Sequence, residues 1–154
     1  MWRLSPATYV DRIFSGGGAY RQGGRWNSPG RAVVYMSESL SLSALESLVH
    51  MVRLHMIRGY KSIWVDIPEA YITSIAKSEL PADWKAVPAP QTTQHIGNNW
   101  FDKQLSPALQ VPSTVIPMEH NFVLNPSHPE FNTLKIGNIQ DFEFDKRLTS
   151  IPSL

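Results

Sequence analysis

Apolar residues recur at helical spacing in one stretch of the chain and gather in short runs elsewhere. Leu45, Leu48, Val49, Val52 and Met56 fall on one helical face. This pattern predicts a helix that starts near Ser41 or Ser43 and ends near Arg58, with Gly59 as its stop. Ser43 followed three residues later by Glu46 has the spacing of a capping box. Runs rich in β-branched and aromatic residues predict strands at 32–36, 62–67, 72–76, 113–117, 121–124, 133–136 and 142–144. One strong helix among short strands argues for an α+β fold, not a regular βαβ alternation.

Glycines crowd 16–30 and prolines crowd 81–112, so both segments read as irregular connections. No repeat and no sharp break in composition divides the chain, and one domain over 1–154 is expected.

Composition narrows the chemistry. With 42% hydrophobic residues and a net charge of +1, the chain has the means to fold but no basic stripe. Direct nucleic-acid binding is therefore not expected, and an RNA-targeting protein or non-enzymatic module is the weaker alternative. The absence of cysteine removes disulfides, thiol nucleophiles and Cys-ligated zinc. The five histidines contain no HExxH, and no metal site is expected. GxGxxG, P-loop and GxSxG motifs are absent too. The longest purely apolar run, 32–36, is too short to span a membrane, and residues 1–6 lack a signal-peptide core. A cytoplasmic, soluble protein is the expectation.

Four polar features remain. In Gly23-Gly24-Arg25-Trp26-Asn27, two glycines let the backbone approach a ligand, and a guanidinium fork suits phosphate. The same arginine could simply pair with a carboxylate on a surface loop. Tyr35, in an apolar strand, could stack on a ligand ring or be a core residue with a satisfied hydroxyl. Glu46 could cap its helix or stand at the edge of a cleft as an electrostatic partner for positive charge. Ser113, bounded by Pro112 and Pro117 and followed by Glu119, Asn121 and Asn125, could be a buried hydroxyl or part of a polar rim.

Taken in order, the segments resemble the RES-domain toxins, named for arginine, glutamate and serine. The resemblance runs through Trp2-Arg3-Leu4, Gly23-Gly24-Arg25-Trp26-Asn27, Val34-Tyr35-Met36-Ser37 and Ala44-Leu45-Glu46. It continues through Ile96-Gly97-Asn98-Asn99-Trp100, Val111-Pro112-Ser113, residues 119–129 and residues 144–148. It implies an ADP-ribosyltransferase-like fold, in which two small β-sheets form a cleft with flanking helices. It also implies cleavage of the nicotinamide–ribose bond of NAD, as a glycohydrolase or a phosphorylase; ADP-ribosylation of a host protein is the alternative. NAD is then the substrate and no cofactor is implied. Carried over by position, Glu46, Arg25 and Tyr35 are the implied catalytic set. Ser113, Asn27, Asn121 and Arg3 are the implied substrate-binding residues. The implied partner is an Xre-type helix-turn-helix antitoxin that forms a hetero-oligomer with the toxin and plugs its cleft, with residues 84–100 as a candidate docking segment.

Overall fold

The computed structural model describes residues 1–51 and 59–149. Eight strands run in chain order: β1 (Trp2–Pro6), β2 (Val34–Ser37), β3 (Tyr60–Asp66), β4 (Ile72–Ser74), β5 (Ala108–Pro112), β6 (His120–Leu124), β7 (Lys135–Ile136) and β8 (Gln140–Phe142). Among the described residues three α-helices accompany them: α1 (Gly17–Gln22), α2 (Leu40–His50) and α3 (Gln91–Asp102). The fold is α+β, as expected. The strands follow one hydrogen-bonded path, β4-β5-β6-β2-β1-β3-β7, with β8 also on β3. All pairings are antiparallel except β4 with β5.

The path is thinnest in its middle. β1 and β2 share a single register pair, Trp2 opposite Ser37. One residue further, the side chain of Arg3 reaches across and donates from Nη1 to the Tyr35 carbonyl at 2.8 Å. A side-chain bond thus stands where a backbone rung is missing, and the sheet divides into two sets of strands. The cleft implied by the resemblance lies at this division.

Alternation along the strands buries both faces of the β5-β6-β2 set. Val34, Met36, Phe122 and Leu124 enter one core cluster, while Val33, Leu109, Val111 and Val123 enter another with Trp26 and Trp100. Each fully buried side chain of this kind contributes about 1.5–3 kcal/mol. A third cluster joins Leu4, Tyr60 and Phe144 to the inner face of α2 through Leu40, Ala44 and Leu48.

Several local expectations change. α2 starts at Leu40, one residue before the earlier expected start, and Ser39, a turn before Ser43, is the N-cap, its hydroxyl accepting from the Leu42 N–H at 3.0 Å. Ser43 is therefore inside the helix, where its buried Oγ accepts from the Leu4 N–H at 3.1 Å and ties α2 to β1. There is no capping box with Glu46, which leaves that carboxylate free for another use. Leu45 and Val49, expected on the inner face, are exposed. The expected helical positions Val52, Met56 and Arg58 lie outside the described residues. The strand expected at 113–117 is a turn, and the real strand, β5, precedes it.

The two segments read as irregular each hold a helix. α1 sits among the glycines and α3 among the prolines. α3 is rich in Thr, Asn and Gly, which are weak helix formers, so tertiary packing stabilises it. Trp100 is buried in the second cluster, and Gly97 lies directly against the Trp26 backbone.

A surface ion pair also holds α3. Arg31 donates from Nε and Nη2 to the two carboxylate oxygens of Asp102 at 2.8 and 2.6 Å. These bonds hold the Asp102 carboxyl below its ordinary range. A lowered folded-state pKa gives stability that is complete above the unfolded value and lost as pH falls through the folded one. Solvent screening limits the pair to about 0.5 kcal/mol. Asp102→Asn is thus expected to lower stability by about that amount at pH 7 and by nothing near pH 2, read by denaturant titration at both.

Candidate active site

A cleft of about 320 Å³ opens between the two strand sets. Arg3, Tyr35, Glu46, His50, Tyr60 and Asn121 contribute to its walls. α2 packs across β1 and β2 and so delivers Glu46, in its second turn, to the point where the strands part.

Glu46 is held by two donors from the β5–β6 connection and β6. Ser113 Oγ donates to Glu46 Oε1 at 2.8 Å, and Asn121 Nδ2 donates to the same oxygen at 2.5 Å. Among the described residues none donates to Oε2, so half of the carboxylate keeps its lone pairs for a ligand. The Ser113 hydroxyl has no freedom to do otherwise. It is fully buried, and it accepts from the Val115 and Ile116 N–H groups, each at 3.0 Å. With both lone pairs occupied, its one proton goes to Glu46. This local pattern also explains the missing strand, because a serine that binds the N–H groups two and three residues on turns the backbone. Ser113 thus belongs to the support of the carboxylate and does not itself face the cleft. Ser113→Ala is expected to cost about 1–3 kcal/mol of stability, measured by denaturant unfolding, since two backbone N–H groups lose their acceptor.

Tyr35 lies on the cleft wall with its hydroxyl turned inward. The hydroxyl donates to Asn27 Oδ1 at 2.7 Å and accepts from the Trp26 N–H at 3.1 Å. Burial pushes its pKa well above the ordinary tyrosine value, against the opposing effects of the Trp26 N–H and the Arg25 charge. The phenol is neutral, and it locks the 24–27 loop to β2. Gly24 is part of this lock, because a Cβ there would stand 2.5 Å from the Tyr35 hydroxyl oxygen.

Asn27 is not a rim residue. It is buried, its Nδ2 donates to the carbonyls of Ala19, Ser28 and Arg31, and its Oδ1 accepts from Tyr35. Every polar atom is used internally, so the side chain holds the loop and has nothing left for a ligand.

Arg25 matches neither of its sequence readings outright. Its hydrogen bonds go to backbone: Nη1 donates to the Trp84 carbonyl at 2.6 Å and the Ala86 carbonyl at 3.0 Å. Partial burial lowers its pKa, while the charge of Glu46 acts in the opposite direction. Arg25 stands outside the cleft walls described above, so the structure does not bring it to the cavity that Glu46 lines. Two carbonyls leave Nε and Nη2 available as donors.

Arg3 is the cation on the wall itself. Its Nε is buried and has no partner among the described residues, while Nη1 holds Tyr35. Burial without a counter-charge pulls its pKa down to about 10, so it remains charged at neutral pH. The Nε is sealed from solvent, so an anionic group entering the cleft would meet only the part of the guanidinium that reaches its wall.

Two features escaped the sequence reading. His50 stands four residues after Glu46 on α2 and lines the same cleft. That i, i+4 spacing is legible in the sequence, but nothing in it marks His50 as a cleft residue. The carbonyls of Trp84 and Ala86 carry no sequence signal at all. Within residues 84–100, Trp84 and Trp100 pack against or within the second core cluster, while residues 85–88, 91, 92, 95 and 99 are exposed. Among the described residues no group of His, Asp and Glu is placed to hold a metal, and no helix is long and apolar enough to cross a membrane.

At the thin β1–β2 junction, the cleft is lined by a carboxylate held by Ser113 and Asn121 and by a guanidinium that has no carboxylate partner among the described residues. The chain belongs to the RES domain family, whose model matches residues 1–145. It is 40% identical over 151 residues to a protein named Toxin Res from Photorhabdus laumondii, covering 96% of each chain. It is 36% identical to Toxin Res from Yersinia enterocolitica, covering 96% of this chain and 98% of that one. A third relative, the Prs ADP-ribosylating toxin of a Sphingobium species, is 32% identical over 96% of this chain and 94% of its own. The toxin–antitoxin complex MbcT–MbcA of M. tuberculosis contains a similar fold, with a TM-score of 0.75 at 18% identity, over 92% of this chain and 82% of that one.

Proposed function

We propose that this RES-family protein is the toxin of a bacterial toxin–antitoxin pair and that it cleaves the nicotinamide–ribose bond of NAD. The observation that carries this reading is Glu46, fixed by Ser113 and Asn121 on the wall of a cleft that Arg3 also lines. The name of the Sphingobium relative supports NAD as the substrate class.

Departure of nicotinamide breaks the ribose C–N bond, and the electron pair leaves with the pyridinium nitrogen. Nicotinamide thus becomes neutral without a proton donor, and positive charge moves onto the ribose. A single carboxylate then suffices: Glu46 Oε2 stabilises the sugar cation, or holds a ribose hydroxyl that does so. Arg3 and the remaining donors of Arg25 suit the pyrophosphate, which fixes the dinucleotide and lets remote binding act on the scissile bond. Tyr35 acts from its ring face on the cleft wall, because its hydroxyl is engaged. An acceptor O–H attacks the cation and releases its proton. Water gives ADP-ribose, phosphate gives a phosphorylated ADP-ribose, and a protein hydroxyl gives an ADP-ribosylated protein.

Mass analysis of products after incubation with NAD, with and without phosphate and with a bacterial lysate, assigns the acceptor. Nicotinamide release is expected in each case. No release under any of the three conditions would reject NAD cleavage. Transfer to a protein is the second reading, favoured by the same relative's name, and a labelled band with slow free hydrolysis would establish it. The proposed partner is an Xre-type helix-turn-helix antitoxin that fills the cleft and shields Glu46. Co-expression should give a hetero-oligomer in which NAD no longer binds.

A further inference from the structure

Ser37 ends β2, is 4% exposed, and stands directly opposite Asn121 of β6 in the register of the sheet. Its Oγ lies 2.7 Å from Asn121 Oδ1, while the other end of that amide, Nδ2, lies 2.5 Å from Glu46 Oε1. Chemistry fixes the direction of this chain. An ionised carboxylate can only accept, so the end of Asn121 that faces it must be the NH2 group. The amide oxygen then faces Ser37, whose hydroxyl must be the donor. Three residues from β2, β6 and α2 thus form a one-way relay, Ser37 to Asn121 to Glu46.

We infer that Ser37 is a positioning residue for the reaction proposed above, acting through Asn121 by fixing which end of the amide meets Glu46. Without the Ser37 hydroxyl, Asn121 Oδ1 has no donor on that side, and rotation of the amide by a half-turn becomes accessible. The rotated amide presents an oxygen to the carboxylate, which repels Glu46 from its place on the wall. Ser113 cannot compensate, because its single proton already serves Oε1. The sheet register supplies the precision: Ser37 and Asn121 are cross-strand neighbours, so their side chains meet without either leaving its strand. Two residues separate Ser37 from α2, so the segment that anchors the relay also carries Glu46.

The consequence for rate rests on the NAD reading, whereas the orientation of Asn121 does not, and two measurements separate them. The first is a double-mutant cycle on nicotinamide release from NAD, using Ser37→Ala, Asn121→Ala and the pair. Ser37→Ala is expected to lower kcat about tenfold with little change in KM, and to have no further effect in the Asn121→Ala background. Independent, multiplicative losses would overturn the inference. The second is NMR of the Asn121 side-chain amide. In the wild type, its Hδ2 protons should show cross-relaxation with the Glu46 side chain, and Ser37→Ala should change their chemical shifts as Glu46→Gln does. Amide signals indifferent to Ser37→Ala, or a wild-type amide with its oxygen toward Glu46, would overturn the inference even in a protein that does not cleave NAD. A wild type inactive on NAD but with the expected amide signals would reject the function and retain the relay.

Discussion

Glu46→Gln is expected to release nicotinamide from NAD about 100- to 1,000-fold more slowly than the wild type, with a nearly unchanged unfolding midpoint. The substitution is chosen because it removes charge and little else. A glutamine oxygen at the Oε1 position still accepts from Ser113 and Asn121, so the buried Ser113 hydroxyl keeps its partner. What disappears is the negative charge that the sugar cation would meet as nicotinamide departs. The loss corresponds to about 3–4 kcal/mol of transition-state stabilisation, the usual cost of one preorganised electrostatic partner. Because the charge acts only as the cation develops, the loss should fall on kcat and leave KM largely unaltered. Single-turnover and steady-state measurement of nicotinamide release provide the test. A Glu46→Gln rate within about threefold of wild type would remove the carboxylate from the mechanism.

The largest expected effect on stability comes from a single methyl group. In Gly97→Ala, the new Cβ would fall on the carbonyl oxygen of Trp26, with the Trp26 carbonyl carbon also inside contact distance. Neither is the end of a flexible side chain, so α3 or the 24–27 loop must move as a body. Overpacking commonly costs about 1–3 kcal/mol, and a backbone obstacle with both sides anchored lies at or above the top of that range. The anchors are specific: Trp26 is buried, Asn27 holds three carbonyls, Gln94 of α3 donates to the Gly24 carbonyl, and Asn98 bonds Ser28 from both amide ends. Arg25 sits inside this junction, so activity should fall together with stability. Gly18→Ala is the control, since a Cβ there meets nothing within 4 Å and the residue is exposed in α1. It is expected to stabilise by about 0.5–1 kcal/mol through the reduced freedom of the unfolded chain. Denaturant unfolding of both variants checks the pair, and a Gly97→Ala protein as stable as wild type would contradict the packing described for α3.

The legible parts of this protein are those where one short stretch carries its own signal. β2, β3 and β6 are dense in β-branched and aromatic residues, and the sequence reading found them within two residues. α2 was found from its apolar spacing, but its cap was placed one turn late because Ser39 and Ser43 are both plausible caps. The decision came from β1: the Leu4 N–H takes the Ser43 hydroxyl and leaves Ser39 to cap. α3 is not legible locally because Thr, Asn and Gly argue against a helix, while its own Trp100 packs in a cluster with the distant Trp26. The strand placed at 113–117 failed for a related reason, since Ser113 spends its lone pairs on its own backbone.

Site residues divide along the same line. Sequence alone determined the α+β class, the identities of Arg3, Arg25, Tyr35, Glu46, Ser113 and Asn121, and the absence of thiol chemistry, because these depend on residue type and order. Only the tertiary structure decided their roles. It made Ser113 and Asn121 supports of one carboxylate oxygen, turned Asn27 into a loop anchor, gave Arg25 two carbonyl partners and tied Arg3, on the cleft wall, to the Tyr35 carbonyl. A polar side chain's role is set by which donors and acceptors surround it, and here those partners come from strands and loops tens of residues away.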